Sequence, residues 1–150
     1  MIFKKPDRLV NKVFIHCSAS DRPEHDDVYV IRKWHLERGF RDVGYHAFVQ
    51  KSGYIQEGRP MEHVPAAQEG HNAGSIAICL AGLNDFTGAQ FRALQSFCAQ
   101  IKQAIPNVTF HGHKEVSNKT CPNFSYQDVL ALDERGRMGE LPEIPLPWRD

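Results

Sequence analysis

The run Phe110-His111-Gly112-His113-Lys114-Glu115-Val116-Ser117-Asn118-Lys119-Thr120-Cys121-Pro122 puts histidine and cysteine at the two ends of a short loop. Imidazole nitrogen and thiolate sulfur are ligands that zinc takes readily. A loop of this length can fold back so that both ends reach one ion. A catalytic zinc usually has three protein ligands and one open position, so a third ligand must come from elsewhere in the chain. His16 is the candidate. Zinc in such a set lowers the pKa of a water it binds, to about 7 in good sites, and polarises a carbonyl. Amide hydrolysis needs both effects. His111 and His113 are two residues apart and would share a face if their strand continued, so spacing leaves open which of them is the ligand.

Two further groups suit that chemistry. Lys119 stands two residues before Cys121, so in an extended segment both side chains leave the same side. A cation there can stabilise the oxyanion that develops on an amide carbonyl. Tyr45, if it faces the metal, can hydrogen-bond the attacking water or the oxyanion. Read alone, each is more ordinary: a solvated loop lysine and a strand aromatic. His71 is the one group with obvious chemistry in an irregular stretch from Met61 to Gly74, the kind of loop that carries binding residues on a rigid scaffold.

The elements around these residues read as an α/β fold. Lys12–Cys17 is a short run of β-branched and aromatic residues, a buried strand that leaves His16 at its C-terminal end, where open α/β sheets place ligands. Asp26 or Asp27 can cap a helix to about Phe40, with Val28, Ile31, Trp34 and His35 on one face and Gly39 at its stop. His35 reads as a hydrogen-bonded core histidine. Residues 42–50 and 54–59 form a hairpin with Ser52-Gly53 at its tip. Tyr45 and His46, adjacent on it, point to opposite faces. Ser75–Ala81 is apolar throughout and reads as a strand buried on both faces. Thr87 and Gln90 form a capping box ahead of Phe91, Leu94, Phe97, Cys98, Ile101 and Ile105 at helical spacing. Asn107–His111 is a short strand, and Ser125–Asp128 starts a last helix through about Asp133. Leu141–Trp148 is proline-rich and extended.

Length and composition suit one domain. The chain has 150 residues, 41% of them hydrophobic, enough for one real core. Eighteen basic side chains balance eighteen acidic ones, which argues against a general nucleic-acid binder. No apolar run approaches the roughly 20 residues of a membrane helix, and Met1–Arg8 has no apolar segment behind it that would make a secretory signal. The expectation is synthesis in the cytoplasm. The cysteines at 17, 79, 98 and 121 form no CxxC pair. A disulfide framework is not expected, and Cys79 and Cys98 read as small core residues.

Taken together, the sequence resembles the zinc-dependent N-acetylmuramoyl-L-alanine amidases of the type-2 group, especially the small single-domain phage enzymes called lysozymes or endolysins. The resemblance lies in Phe14–Ser20, Ile31–His35, Asp42–His46, Gly70-His71-Asn72, Ser75–Leu80, His113–Val116 and Lys119–Pro122, in family order over about residues 10–130. It implies a central mixed sheet flanked by helices in one domain over 1–150, with a core of about 10–133 and an extended tail from 134. It implies that His16, His113 and Cys121 hold one zinc ion, His113 being favoured over His111 by its place eight residues before the cysteine. Tyr45 and Lys119 would be the catalytic helpers, with Tyr45 orienting or deprotonating the water, and His71 and Asn72 would contact substrate. The implied reaction cleaves the amide between N-acetylmuramic acid and L-alanine of peptidoglycan. An enzyme of this kind, expected to be monomeric, would reach the cell wall after membrane permeabilisation. Some phage members also inhibit the phage RNA polymerase, so that protein is a further expected partner. Many relatives carry a histidine where this chain has Ala67, which bears on substrate grip. Relatives lacking the cysteine bind without cutting, and recycling amidases usually have Asp there. Cys121 thus points to catalysis in the phage branch. A closed structural zinc site would need Cys17 or His111 as fourth ligand, and Cys17 is expected on the opposite strand face from His16.

Overall fold

The computed structural model describes residues 1–145. Five strands form one sheet: β1 (Lys12–Cys17), β2 (Ala47–Val49), β3 (Ile55–Glu57), β4 (Ser75–Leu80) and β5 (Thr109–Gly112). Their order is β3-β2-β4-β1-β5. β4 and β5 run parallel to β1, β2 runs parallel to β4, and β3 pairs antiparallel with β2. The sheet is therefore mixed, with β1 between two parallel neighbours. In register, His16 pairs with Cys79 and Phe14 with His111. Central parallel strands are buried on both faces, which accounts for the unbroken apolar run of β4: all six of its residues are buried.

Three helices flank the sheet. α1 (Val28–Glu37) is capped by Asp27, whose side chain accepts the Tyr29 N–H at 3.0 Å. Val28 and Ile31 from its inner face pack with Val43, Phe48, Cys79 and Ala81, and Trp34 and Tyr45 lie against this cluster. Gly39 follows with a φ of +91°, a backbone state that stops a helix. α2 (Gly88–Ala104) starts at the expected capping box, Thr87 with Gln90. It lays Phe91, Leu94, Phe97, Cys98 and Ile101 into the main core beside Val13, Ile15, Ile76, Ile78 and Leu80. Burial of each large apolar side chain there contributes about 1.5–3 kcal/mol.

α3 (Tyr126–Val129) is shorter than the sequence suggests. The chain turns left-handed at Ala131, with a φ of +51°, and the Leu132 N–H closes on Gln127 O at 2.9 Å. That is a helix-ending bond pattern, and it forestalls continuation to Asp133. The hairpin strand likewise begins at Ala47, not at Asp42. Residues before it are held irregularly, the Arg59 N–H donating to Tyr45 O and the Gly58 N–H to His46 O. Met138 and Ile144 join the main core. The part of the proline-rich tail from Leu146 onward lies outside the described residues.

Candidate active site

β1 and β5 end at the same edge, and the site forms there. β5 stops at Gly112, and one turn of 3-10 helix, His113–Glu115, follows at once. That break separates the two histidines. His111 stays on the strand: its Nδ1 pairs with Glu115 Oε1 at 2.9 Å and its Nε2 with Thr109 Oγ1 at 2.7 Å. His113 turns toward β1, and its ring lies 4.5 Å from that of His16. The turn is built by Glu115, which accepts the Gly112 N–H at 2.8 Å and the Tyr126 hydroxyl. Lys114 ties it to the far end of the loop, its N–H donating to Cys121 O at 2.7 Å.

His16, His113 and Cys121 come together. Their ligand atoms all lie within 4.8 Å of one another, both histidines are buried, and the sulfur is half-buried. Three donors this close can draw in around one zinc ion, at about 2.0–2.3 Å per bond. The set is soft sulfur plus two imidazoles, which suits zinc better than calcium or magnesium. Burial, then His113 beside it and Lys119, holds the His16 imidazole down to about 3. Burial and Lys119 also lower His113. Both rings are therefore neutral near pH 7, the form that binds metal. The Cys17 N–H donates to Cys121 Sγ at 3.0 Å. The neighbouring Cys17 thiol, then burial, pushes the Cys121 thiol up; a cation facing the sulfur would reverse that balance.

Neither candidate for a fourth protein ligand belongs to the group. His111 is engaged on both ring nitrogens, and among the described residues the donor cluster contains only the three. Cys17 does depart from expectation. It ends β1, where the strand's alternation no longer governs, and its thiol lies beside that of Cys121 and lines the cleft.

His16 is buried beside His113, and His113 and Cys121 line a cleft of about 1040 Å³. Trp34, Phe40 and Tyr45 give it aromatic walls, and Arg38, Glu69, Asn118 and Lys119 give it charged and polar groups. The Tyr45 ring sits 5.1 Å from His16 and 5.5 Å from His35. Burial, with Cys79, Cys121 and Cys17 nearby, pushes its phenol well above its ordinary value. At neutral pH Tyr45 is thus an O–H donor, and this environment works against its acting as a base. His46 faces away, its ring nitrogens meeting the Ala77 N–H and His63 O. His35 accepts the Gly44 N–H at 2.8 Å and is buried, as a core histidine should be.

The two substrate candidates differ. Asn72 lines the cleft, but its Oδ1 already accepts the N–H groups of Ala67 and Gln68, each at 3.0 Å. His71 is exposed, with its ring 6.5 Å from Phe14, and is not among the cleft-lining residues. Sequence reasoning missed Gln68, which is fully buried and meets His16 Nε2 at 2.8 Å. No local pattern marks such a residue, because the His16 it meets lies on β1, fifty-two residues earlier in the chain.

Comparison with known proteins bears on the family and the fold. The profile of the N-acetylmuramoyl-L-alanine amidase family matches residues 6–124. The endolysin of Enterobacteria phage T3 is 34% identical over 145 residues, covering 88% of this chain and 96% of its own. The endolysin of Escherichia phage T7 is 35% identical over 137 residues, covering 83% and 91%. Among solved structures, the N-acetylmuramoyl-L-alanine amidase LysC from Clostridium intestinale superposes with a TM-score of 0.75 at 27% identity, over 83% of this chain and 85% of that one. A family match across most of the sequence and relatives of nearly the same length lead to one conclusion: the chain belongs to the N-acetylmuramoyl-L-alanine amidase family.

Proposed function

We propose that this protein is a zinc-dependent endolysin that hydrolyses the amide between N-acetylmuramic acid and L-alanine in peptidoglycan, acting in host-cell lysis. The observation that carries the reading is the convergence of His16, His113 and Cys121 within 4.8 Å, with His113 and Cys121 lining an open cleft, in a chain of this family. Two neutral imidazoles and one thiolate would hold the ion. Zinc, when bound, would supply Lewis acidity toward the scissile carbonyl and toward water.

The chain's own groups do the rest. The Lys119 ammonium, on the cleft wall, faces charge that develops on the carbonyl oxygen. The Tyr45 phenol keeps its proton and pairs here with Cys79; turned toward the cleft it lines, it would donate a hydrogen bond that orients the nucleophile or holds the oxyanion. Trp34 and Phe40 offer flat apolar surface, and Glu69 and Asn118 offer polar partners, to a peptide joined to a sugar. Among the described residues no helix is long and apolar enough to cross a membrane; the protein would act on the wall after membrane permeabilisation.

The test is release of new amino termini from purified peptidoglycan. Release should stop in a chelator and return on adding zinc. Cys121→Ser should lose both bound zinc and release. Full release by that variant, or release unaffected by thorough chelation, would end the assignment.

A further inference from the structure

The buried amide of Gln68 is oriented by groups that leave it no choice. Its Nε2 lies 3.2 Å from His71 O and 2.7 Å from Ser75 Oγ. A backbone carbonyl only accepts, so the amide NH2 must face His71 O. Ser75 gives a second, independent constraint. Its hydroxyl donates to Asn72 O at 2.8 Å, so its oxygen is left to accept from Gln68. Both partners place the amide nitrogen on one side and Oε1 on the other, 2.8 Å from His16 Nε2. An amide oxygen cannot donate. His16 Nε2 must therefore carry the proton, and the lone pair of the neutral ring resides on Nδ1.

We infer that Gln68 is a positioning residue for the metal: it fixes His16 in the Nε2–H tautomer and aims Nδ1 at the ion. This rests on the reading of His16 as a zinc ligand. The location of the sulfur agrees with it. Cys121 Sγ sits 3.0 Å from the Cys17 backbone nitrogen, so the donor cluster lies close to the β1 main chain, and Nδ1 is the ring nitrogen nearer that chain. A hydrogen bond from the non-ligating nitrogen also raises the basicity of the ligating one and locks the ring plane. Gln68 is itself held by the loop: its N–H and that of Ala67 converge on Asn72 Oδ1. Asn72 thus acts on His16 through Gln68, whatever it does for substrate.

The test compares zinc affinity, by chelator competition, in wild type, Gln68→Leu, Gln68→Glu and His16→Ala, with melting of each metal-free protein alongside. Gln68→Leu removes the acceptor and should weaken zinc about 10–100-fold. Gln68→Glu keeps an acceptor toward His16 and should retain affinity within a few-fold of wild type. A purely structural role would destabilise both variants in the metal-free form and leave zinc affinity of the folded protein unchanged. Wild-type affinity in Gln68→Leu, with zinc lost in His16→Ala, overturns the inference while sparing the ligand assignment. Zinc retained in His16→Ala removes that assignment, and the inference with it. Should Gln68→Leu fail to fold, long-range nitrogen–proton NMR on wild type decides alone. A His16 ring protonated at Nε2 is expected, and protonation at Nδ1 overturns it.

Discussion

Gly112→Ala tests how the ligand loop is held. Gly112 has a φ of −97°, so its backbone would accept any residue. The constraint is space. A Cβ added there would lie 2.6 Å from Tyr126 Cζ and 2.9 Å from its hydroxyl oxygen. Carbon atoms settle about 3.5–4.0 Å apart, so something must move by roughly 1 Å. Tyr126 is 1% exposed and its hydroxyl donates to Glu115, which caps Gly112 in turn. The ring cannot withdraw without loosening the turn that carries His113. Overpacking of this kind costs about 1–3 kcal/mol, which for a chain of this size lowers Tm by about 2–12 °C. The metal-free protein can relieve part of the strain by shifting the turn, but zinc binding through His113, as proposed, would call that residue back into place. Each 1.4 kcal/mol reinstated on binding weakens Kd about tenfold, and a loss of at least about tenfold is expected. The assays are thermal unfolding in chelator and zinc competition. Tyr126→Leu in the same background opens the space, so the double variant should cost less than the two single variants together by at least about 1 kcal/mol. Additive costs, or Gly112→Ala with wild-type zinc affinity, would refute the reasoning.

Lys119→Ala should keep its zinc and lose turnover by about 10²–10³-fold, the usual effect of removing one oxyanion-stabilising group; loss of metal instead would make Lys119 a support for the site. Tyr45→Phe should also keep zinc and lower kcat, and because the phenol stays protonated at neutral pH, the alkaline limb of the pH–rate profile should not shift with the substitution. The metal-free protein should lose stability as pH falls from about 6.5 to 4. Burial, then Arg38 and Arg59, holds His35 down to about 4, and burial, with Arg8 and Arg59, does the same for His46. The unfolded chain takes up those protons near pH 6.5 and the folded one does not, so acid favours unfolding across that window. Melting curves in chelator check this. His46→Gln should flatten the slope, and an unchanged slope would show that His46 does not contribute.

What could be read from the sequence was what neighbouring residues decide among themselves. The capping box at Thr87 and the apolar stripe of α2 involve residues three or four apart, and the buried run of β4 states its environment in its own composition. The donor types at His16, His113 and Cys121 were equally open to reading, since few other residues bind zinc. The choice between His111 and His113 was not, and the structure shows why. Spacing counts as evidence only while one backbone conformation persists, and here the strand ends between the two histidines. It ends because Glu115 caps Gly112 and Tyr126 packs against that same glycine, a contact made by a helix fourteen residues away from Gly112. The Gln68 amide takes this further: its direction depends on two carbonyls and a hydroxyl that a loop and β4 bring to His16. Metal ligands can be named from residue type, but their tautomer and aim come from the tertiary fold. Replacements in those supporting groups should therefore tune zinc affinity in graded steps, where replacements of the ligands abolish it.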